Sequence, residues 1–223
     1  MSDKLSDDVY QKLMCYIKDN ISQCNGSRVV SADFLTQVYD ELNIIEDTQN
    51  VYNNFVSKLK ENYDIKNLNI VEVGCGVLPR LAYRLIEEVE NGLVYAYDPK
   101  LSIYAKKFNN LILKQEKFSK DCCPKNVDLI VALHPCDGVF QAVECASLLN
   151  VDFFYKPCKC IHENQMYLDF LKQNQLDNNE YIYRLFIRMY ILKSFTSTSF
   201  NVIDETSNEK TCINNEYIYT KRK

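Results

Sequence analysis

Two groups of residues in this sequence could do chemistry. The first is Glu72-Val73-Gly74-Cys75-Gly76, with Asp98 further along. The chain has only 5 glycines in 223 residues, and two of them flank a single cysteine between a β-rich run and a helical one. Glycines in such a turn let the backbone lie against a ligand with no Cβ in the way. Asp98 closes the next strand, where a carboxylate can accept both hydroxyls of a ribose. Glycine turn and acid together fit an adenosine-containing cofactor, either a nicotinamide dinucleotide or S-adenosylmethionine (SAM).

The second group lies in "ALHPCDGV" and "FFYKPCKCIH". His134 is a base candidate near neutral pH, and Asp137 could orient it or the substrate. Lys156 or Lys159 could lower a substrate pKa or hold an anion. The same stretches offer soft metal ligands: His134, Cys136, Cys158, Cys160 and His162, with Cys122 and Cys123 on the preceding loop. Zinc needs about four such ligands in a tetrahedron. A C-x-C step is tighter than the usual finger spacing, however, and proline precedes both Cys136 and Cys158. The preferred reading is therefore that the thiols pack as small apolar residues. His162 is read as a helix-start residue, and no obligate metal is expected. Cys15, Cys24, Cys145 and Cys212 are read as packing residues.

These groups must be positioned by regular elements. Residues 1–64 read as an N-terminal helical cap, with Ser31 as an N-cap and Val51, Phe55, Leu59 and Tyr63 on one helical face. Residues 65–223 read as one α/β domain. Its expected strands are 68–73, Leu93–Tyr97, "LILKQ", Val127–Leu133 and Val151–Tyr155. The expected helices are Pro79–Glu90, Leu101–Phe108 and Val139–Leu149, then two more within 163–195, broken near "NQLDNN". Alternating strands and helices imply a parallel sheet covered on both faces. "SFNVIDET" and "EYIYTKRK" read as a closing antiparallel hairpin, which makes a seven-stranded, mostly parallel sheet.

Composition narrows the classes. Apolar residues make up 47% and charged residues 25%, as in globular chains, and the net charge of −4 argues against tight non-specific binding to nucleic acid. Lys100, Lys106, Lys107, Lys114, Lys117, Lys120 and Lys125 nonetheless gather in mid-sequence. No apolar run reaches the length of a membrane span. The acidic N-terminus lacks a basic-plus-apolar leader, so the expected compartment is the cytoplasm, where the 10 cysteines stay reduced.

Three features separate the two cofactors. The dinucleotide G-x-G-x-x-G pattern fails, because Pro79 stands where its third glycine would be. Glu72 supplies an acid at the strand tip that suits a cationic cofactor. The closing hairpin is unlike a simple parallel dinucleotide fold. Together they resemble the class I SAM-dependent methyltransferases, over roughly Leu68 to Lys223. In that family the reversed last strand sits between its neighbours. The resemblance implies a cofactor set of Glu72, Gly74, Cys75, Gly76, Asp98, Pro99, Glu116 and Leu133. Gln115 and Phe118 are further candidates beside the adenine. A Gly74→Val change is expected to fill cofactor space and leave the sheet folded.

"LHPCDG", followed by a strand ending in "PCK", resembles a methyltransferase-domain subfamily with an LHxCD/G motif after strand 4. That subfamily has relatives among the tRNA ribose 2′-O-methyltransferases. "HPCD" stands where base-amine methylases carry their aromatic clamp. The implied function is methyl transfer to a hydroxyl or small molecule, with His134, Asp137 and Lys156 as the catalytic candidates. An RNA methyltransferase using the central lysines is an alternative, and so is a non-catalytic SAM- or metal-binding interaction protein. The N-terminal helices would cover the cleft, with Tyr39, Tyr52 and Phe55 as lining candidates.

Overall fold

A computed structural model describes residues 46–102, 105–158, 160–205 and 217–222. The helices expected before residue 46, with Ser31 and Tyr39, lie outside the described residues, as do Lys159 and Cys212. Seven strands form one sheet: β1 (Ile70–Val73), β2 (Val94–Tyr97), β3 (Leu111–Lys114), β4 (Leu129–Leu133), β5 (Asp152–Lys156), β6 (Phe200–Asp204) and β7 (Ile218–Arg222). Their order is β3-β2-β1-β4-β5-β7-β6. The first five run parallel, with Ile70 facing both Val94 and Leu129. Only β7 runs against its neighbours, β5 and β6. The sheet is the expected one, including the reversed strand between its neighbours.

β1 and β4 are buried along their whole length. This is why their sequences run "IVEV" and "LIVAL" without polar alternation: helices cover both faces. Within the helices, α1 is Glu46–Asn62, α2 Arg80–Glu88, α3 Gly138–Leu149, α4 Gln165–Asn174 and α5 Glu180–Ser194. On one face Phe55, Leu59, Leu81 and Leu85 from α1 and α2 pack on Ile70, Val94, Leu129 and Phe154. The other face sets Val71, Ile130, Phe153 and Tyr155 against α3, α4 and α5, through residues such as Val143, Tyr167 and Ile187. Asn164 and Asn179 cap α4 and α5, accepting the Tyr167 and Ile182 amides at 3.0 Å each. Val51 is exposed and does not join the buried face of α1.

Side chains seat the reversed strand. Thr220 Oγ1 accepts the Phe153 amide at 2.9 Å, and the Tyr63 hydroxyl donates to the carbonyls of Phe153 (3.3 Å) and Thr220. Phe55 meets Phe154 edge-on with centroids 5.1 Å apart. α1 is thus fastened to the centre of the sheet.

One expected element is absent. The described part of Leu101–Phe108 is not helical. Ser102 gives its amide to Val77 O at 2.9 Å, and Lys106 gives its amide to the Tyr83 hydroxyl at 2.7 Å. Those bonds tie the segment to the glycine turn and to α2 instead of closing helical rings. Among the described residues no helix is long and apolar enough to cross a membrane.

Candidate active site at the carboxyl ends of the strands

From β1 the chain steps outward to β2 and β3, then returns to β4 on the other side of β1. The carboxyl ends of β1 and β4 therefore flank the point where strand order reverses, which is where open α/β sheets bind ligands. The glycine turn sits there. Gly74 and Gly76 both adopt left-handed backbone, with φ +76° and +75°. Their environments differ. A Cβ at Gly74 would stand 2.9 Å from Pro135 Cα, whereas one at Gly76 would have nothing within 4 Å. Gly74 is therefore required by the β4 tip packed on it, which corrects the expectation that its missing side chain makes cofactor space. Gly76 is the glycine with open room beside its backbone.

Asp98 holds this turn. Its Oδ2 accepts the Gly76 amide at 2.9 Å and its Oδ1 the Lys100 amide at 2.7 Å. A carboxylate has roughly four lone-pair sites, so capacity for hydroxyl donors is left. Glu72 is buried, its charged form is favoured by the Ala82 amide, and its Oε2 has no hydrogen-bond partner. Burial, reinforced by the Asp98 charge, pushes its pKa up to about 8. Its buried oxygen is orphaned, and a cationic ligand seated beside it would draw it back to its ionised form.

The remaining implied cofactor residues are less uniform. Cys75 is buried, its thiol donates to the Gly76 carbonyl at 3.7 Å, and burial raises its pKa. Leu133 is buried in the same apolar cluster as Cys75. Pro99 is exposed. Glu116 is exposed and lies 3.9 Å from Lys114. Gln115 is exposed as well, whereas Phe118 is buried edge-on against Tyr97, centroids 5.1 Å apart.

The tips of β4 and β5 lie side by side, with Leu133 opposite Lys156 and the His134 amide donating to Lys156 O at 3.0 Å. His134 is exposed at the tip. Desolvation of its packed side and the charges of Lys156 and Arg184 lower its pKa to about 4. Lys156 is buried, donates to the Tyr217 hydroxyl at 3.3 Å and lies 4.5 Å above that ring. Tyr217 in turn lines a recess of about 460 Å³ with Asn54, Lys58, Glu61 and Glu205. Asp137 does not orient His134: its Oδ1 lies 3.6 Å from His162 Nδ1.

His134 and Cys136 both take left-handed backbone, at φ +51° and +52°. This bend carries Cys136 to the loop after β5, where Cys136, Cys158, Cys160 and His162 place ligand atoms within 4.8 Å of one another. His134, Cys122 and Cys123 are not part of that group. The thiols are linked: hydrogen bonding from Cys136 lowers the Cys158 pKa to about 6 and raises that of Cys136. The Lys156–Tyr217 contact, the Asp137–His162 pair and Pro135 against Gly74 had no signature in the sequence, because each joins residues from separate loops.

No protein-family model matches the sequence, and no curated protein matches it. Solved structures with a similar chain path include a fibrillarin/Nop5p complex, at 12% identity over 77% of this chain and 82% of that one, with a TM-score of 0.47. A putative rRNA methylase from Clostridium thermocellum is 13% identical over 74% and 92%, TM-score 0.47. A precorrin-6y C5,15-methyltransferase from Geobacter metallireducens is 15% identical over 77% and 87%, TM-score 0.43. Parallel β3-β2-β1-β4-β5, with β7 reversed between β5 and β6, is the sheet of the class I SAM-dependent methyltransferase fold.

Proposed function

We propose that this chain is a SAM-dependent methyltransferase whose acceptor is a hydroxyl or another small-molecule nucleophile. The observation that carries the reading is the Gly76 amide held on Asp98 at 2.9 Å, with open space where a side chain would stand. Asp98 would hold the ribose hydroxyls, the Gly76 backbone would lie against the cofactor, and Glu72 would face its positive charge. When bound, SAM supplies an electrophilic methyl group on a sulfonium.

The protein's part in such a displacement is mainly to position the nucleophile and exclude water. Lys156 and Tyr217 lie beside the polar recess and can orient an acceptor there. His134 is set to accept a hydrogen bond at the exposed tip. Desolvation and the Lys156 and Arg184 charges hold the His134 imidazole neutral, the form that can accept a hydrogen bond or a proton from an acceptor. Asp137 faces His162 at 3.6 Å and would act on the acceptor directly instead of through His134.

Calorimetric titration of Asp98→Ala tests the reading. Loss of a charged hydrogen-bond acceptor costs about 2 kcal/mol or more, so SAM and its demethylated product should both bind about 30-fold more weakly. Circular dichroism of the variant should show the sheet intact. Wild-type affinity in a folded Asp98→Ala protein would remove the ribose role, and with it the carrying observation.

A further inference from the structure

We propose that Cys136, Cys158, Cys160 and His162 form a zinc site that clamps the β4 tip to the loop after β5. This goes beyond methyl transfer and reverses the expectation of no obligate metal. The four ligand atoms already lie within 4.8 Å of one another. Tetrahedral zinc with bonds of about 2.3 Å to sulfur sets ligand atoms about 3.8 Å apart. Closing from the observed spread to that geometry takes small side-chain rotations.

Three further features point to a ligand. First, Nδ1 of His162 faces Asp137 Oδ1 at 3.6 Å, while Nε2 is buried without a hydrogen-bond partner. A zinc-bound imidazole that gives its other N–H to a carboxylate is the usual outer arrangement of such sites. An unpartnered buried ring nitrogen is otherwise unfavourable. Second, Cys136 reaches the group only through left-handed backbone at φ +52°, one residue after Pro135 and two after His134 at φ +51°. Such conformations are unfavourable for non-glycine residues and persist where surrounding structure enforces them. Third, Cys158, Cys160 and His162 lie on the non-helical loop after β5, with their ligand atoms within 4.8 Å of that of Cys136. The tight C-x-C step falls in that loop, with Cys136 arriving from the neighbouring strand as the fourth ligand.

Three soft thiolates and an imidazole select zinc over hard cations. On binding, each cysteine bonds the metal as a thiolate, any proton its sulfur still carries goes to solvent, and nothing is oxidised or reduced. Four protein ligands leave no open position, which makes the site structural. Cys160 is exposed, so chelators can reach one edge of the site.

Elemental analysis of the full chain, purified with reductant, should find about one zinc per chain. After chelation and reloading with cobalt(II), the absorption spectrum should show the visible bands of a tetrahedral thiolate site. Cys158→Ser and Cys160→Ser should each bind cobalt at least about 100-fold more weakly. Asp137→Asn should bind it about 10-fold more weakly, the scale of losing such an outer carboxylate. Cys145→Ala, in the core away from the site, should match the wild type. The exposed Cys160 keeps the test available if Cys158→Ser does not fold. The proposal is overturned by reduced protein that takes up neither zinc nor cobalt, by wild-type cobalt affinity in Cys160→Ser, or by equal loss in Cys145→Ala.

Discussion

The two glycines of the turn behave differently, and substitution should separate them. Gly74→Ala puts a Cβ 2.9 Å from Pro135 Cα at a left-handed position. Gly76→Ala meets open space and carries only the left-handed penalty of roughly 1–2 kcal/mol. Thermal melts should therefore show Gly74→Ala as the less stable protein. Gly76→Ala should lose more cofactor affinity than its stability change explains, and the reverse ranking would misassign the cradle. Glu72 gives a pH signature. Its pKa is about 8 folded against the ordinary 4.5, so between those values the folded protein holds a proton that the unfolded chain has released. Its contribution is fully favourable below about 4.5 and is lost as pH rises toward 8, with a slope on the order of 1 kcal/mol per pH unit. Glu72→Gln lacks this titration, so its melting temperature should overtake the wild type between pH 5 and 8. Parallel curves would show that Glu72 is not held protonated. Among these residues, Gly74, Gly76 and Asp98 were legible in the sequence as types at a spacing. That Gly74 serves Pro135 was not, because the contact comes from a loop far along the chain.

At the scale of elements, most of the sheet could be read from unbroken apolar runs, and the hairpin from two β-rich stretches around a polar link. The missed element is instructive. Leu101, Ala105 and Phe108 have helical spacing, yet the Ser102 amide goes to Val77 O and the Lys106 amide to Tyr83. Tertiary hydrogen bonds there outcompete a weak local propensity. α1 shows the opposite case, since its buried face was visible at Phe55 and Leu59. Phe55 is 0% exposed and packs on Phe154 and Tyr217. Phe55→Ala should cost about 3–5 kcal/mol in chemical denaturation, the scale for emptying a buried aromatic site. A loss below about 1 kcal/mol would mean that α1 is not fastened to the sheet as described. The thiol and imidazole group was visible as residue types. Its closure depends on the bend at His134–Cys136, and backbone of that kind leaves no periodic pattern to read.

For the whole molecule, net charge and topology pull the acceptor question in different directions. The chain carries −4 overall, while Lys100, Lys106, Lys107, Lys117, Lys120 and Lys125 are exposed on the connections flanking β3. A small-molecule acceptor predicts weak tRNA binding that hardly changes between low and physiological salt. A steep fall in affinity with salt would instead count phosphate contacts and favour the RNA alternative. The central claim is narrower than the acceptor and can be tested first. It is that the turn between β1 and α2, stapled by Asp98, is a SAM site. Isothermal titration of the wild-type chain with SAM, its demethylated product and NADH tests it directly. The predicted result is one saturable site per chain for SAM and for the product, with no measurable heat from NADH. Tight NADH binding without SAM binding would contradict it.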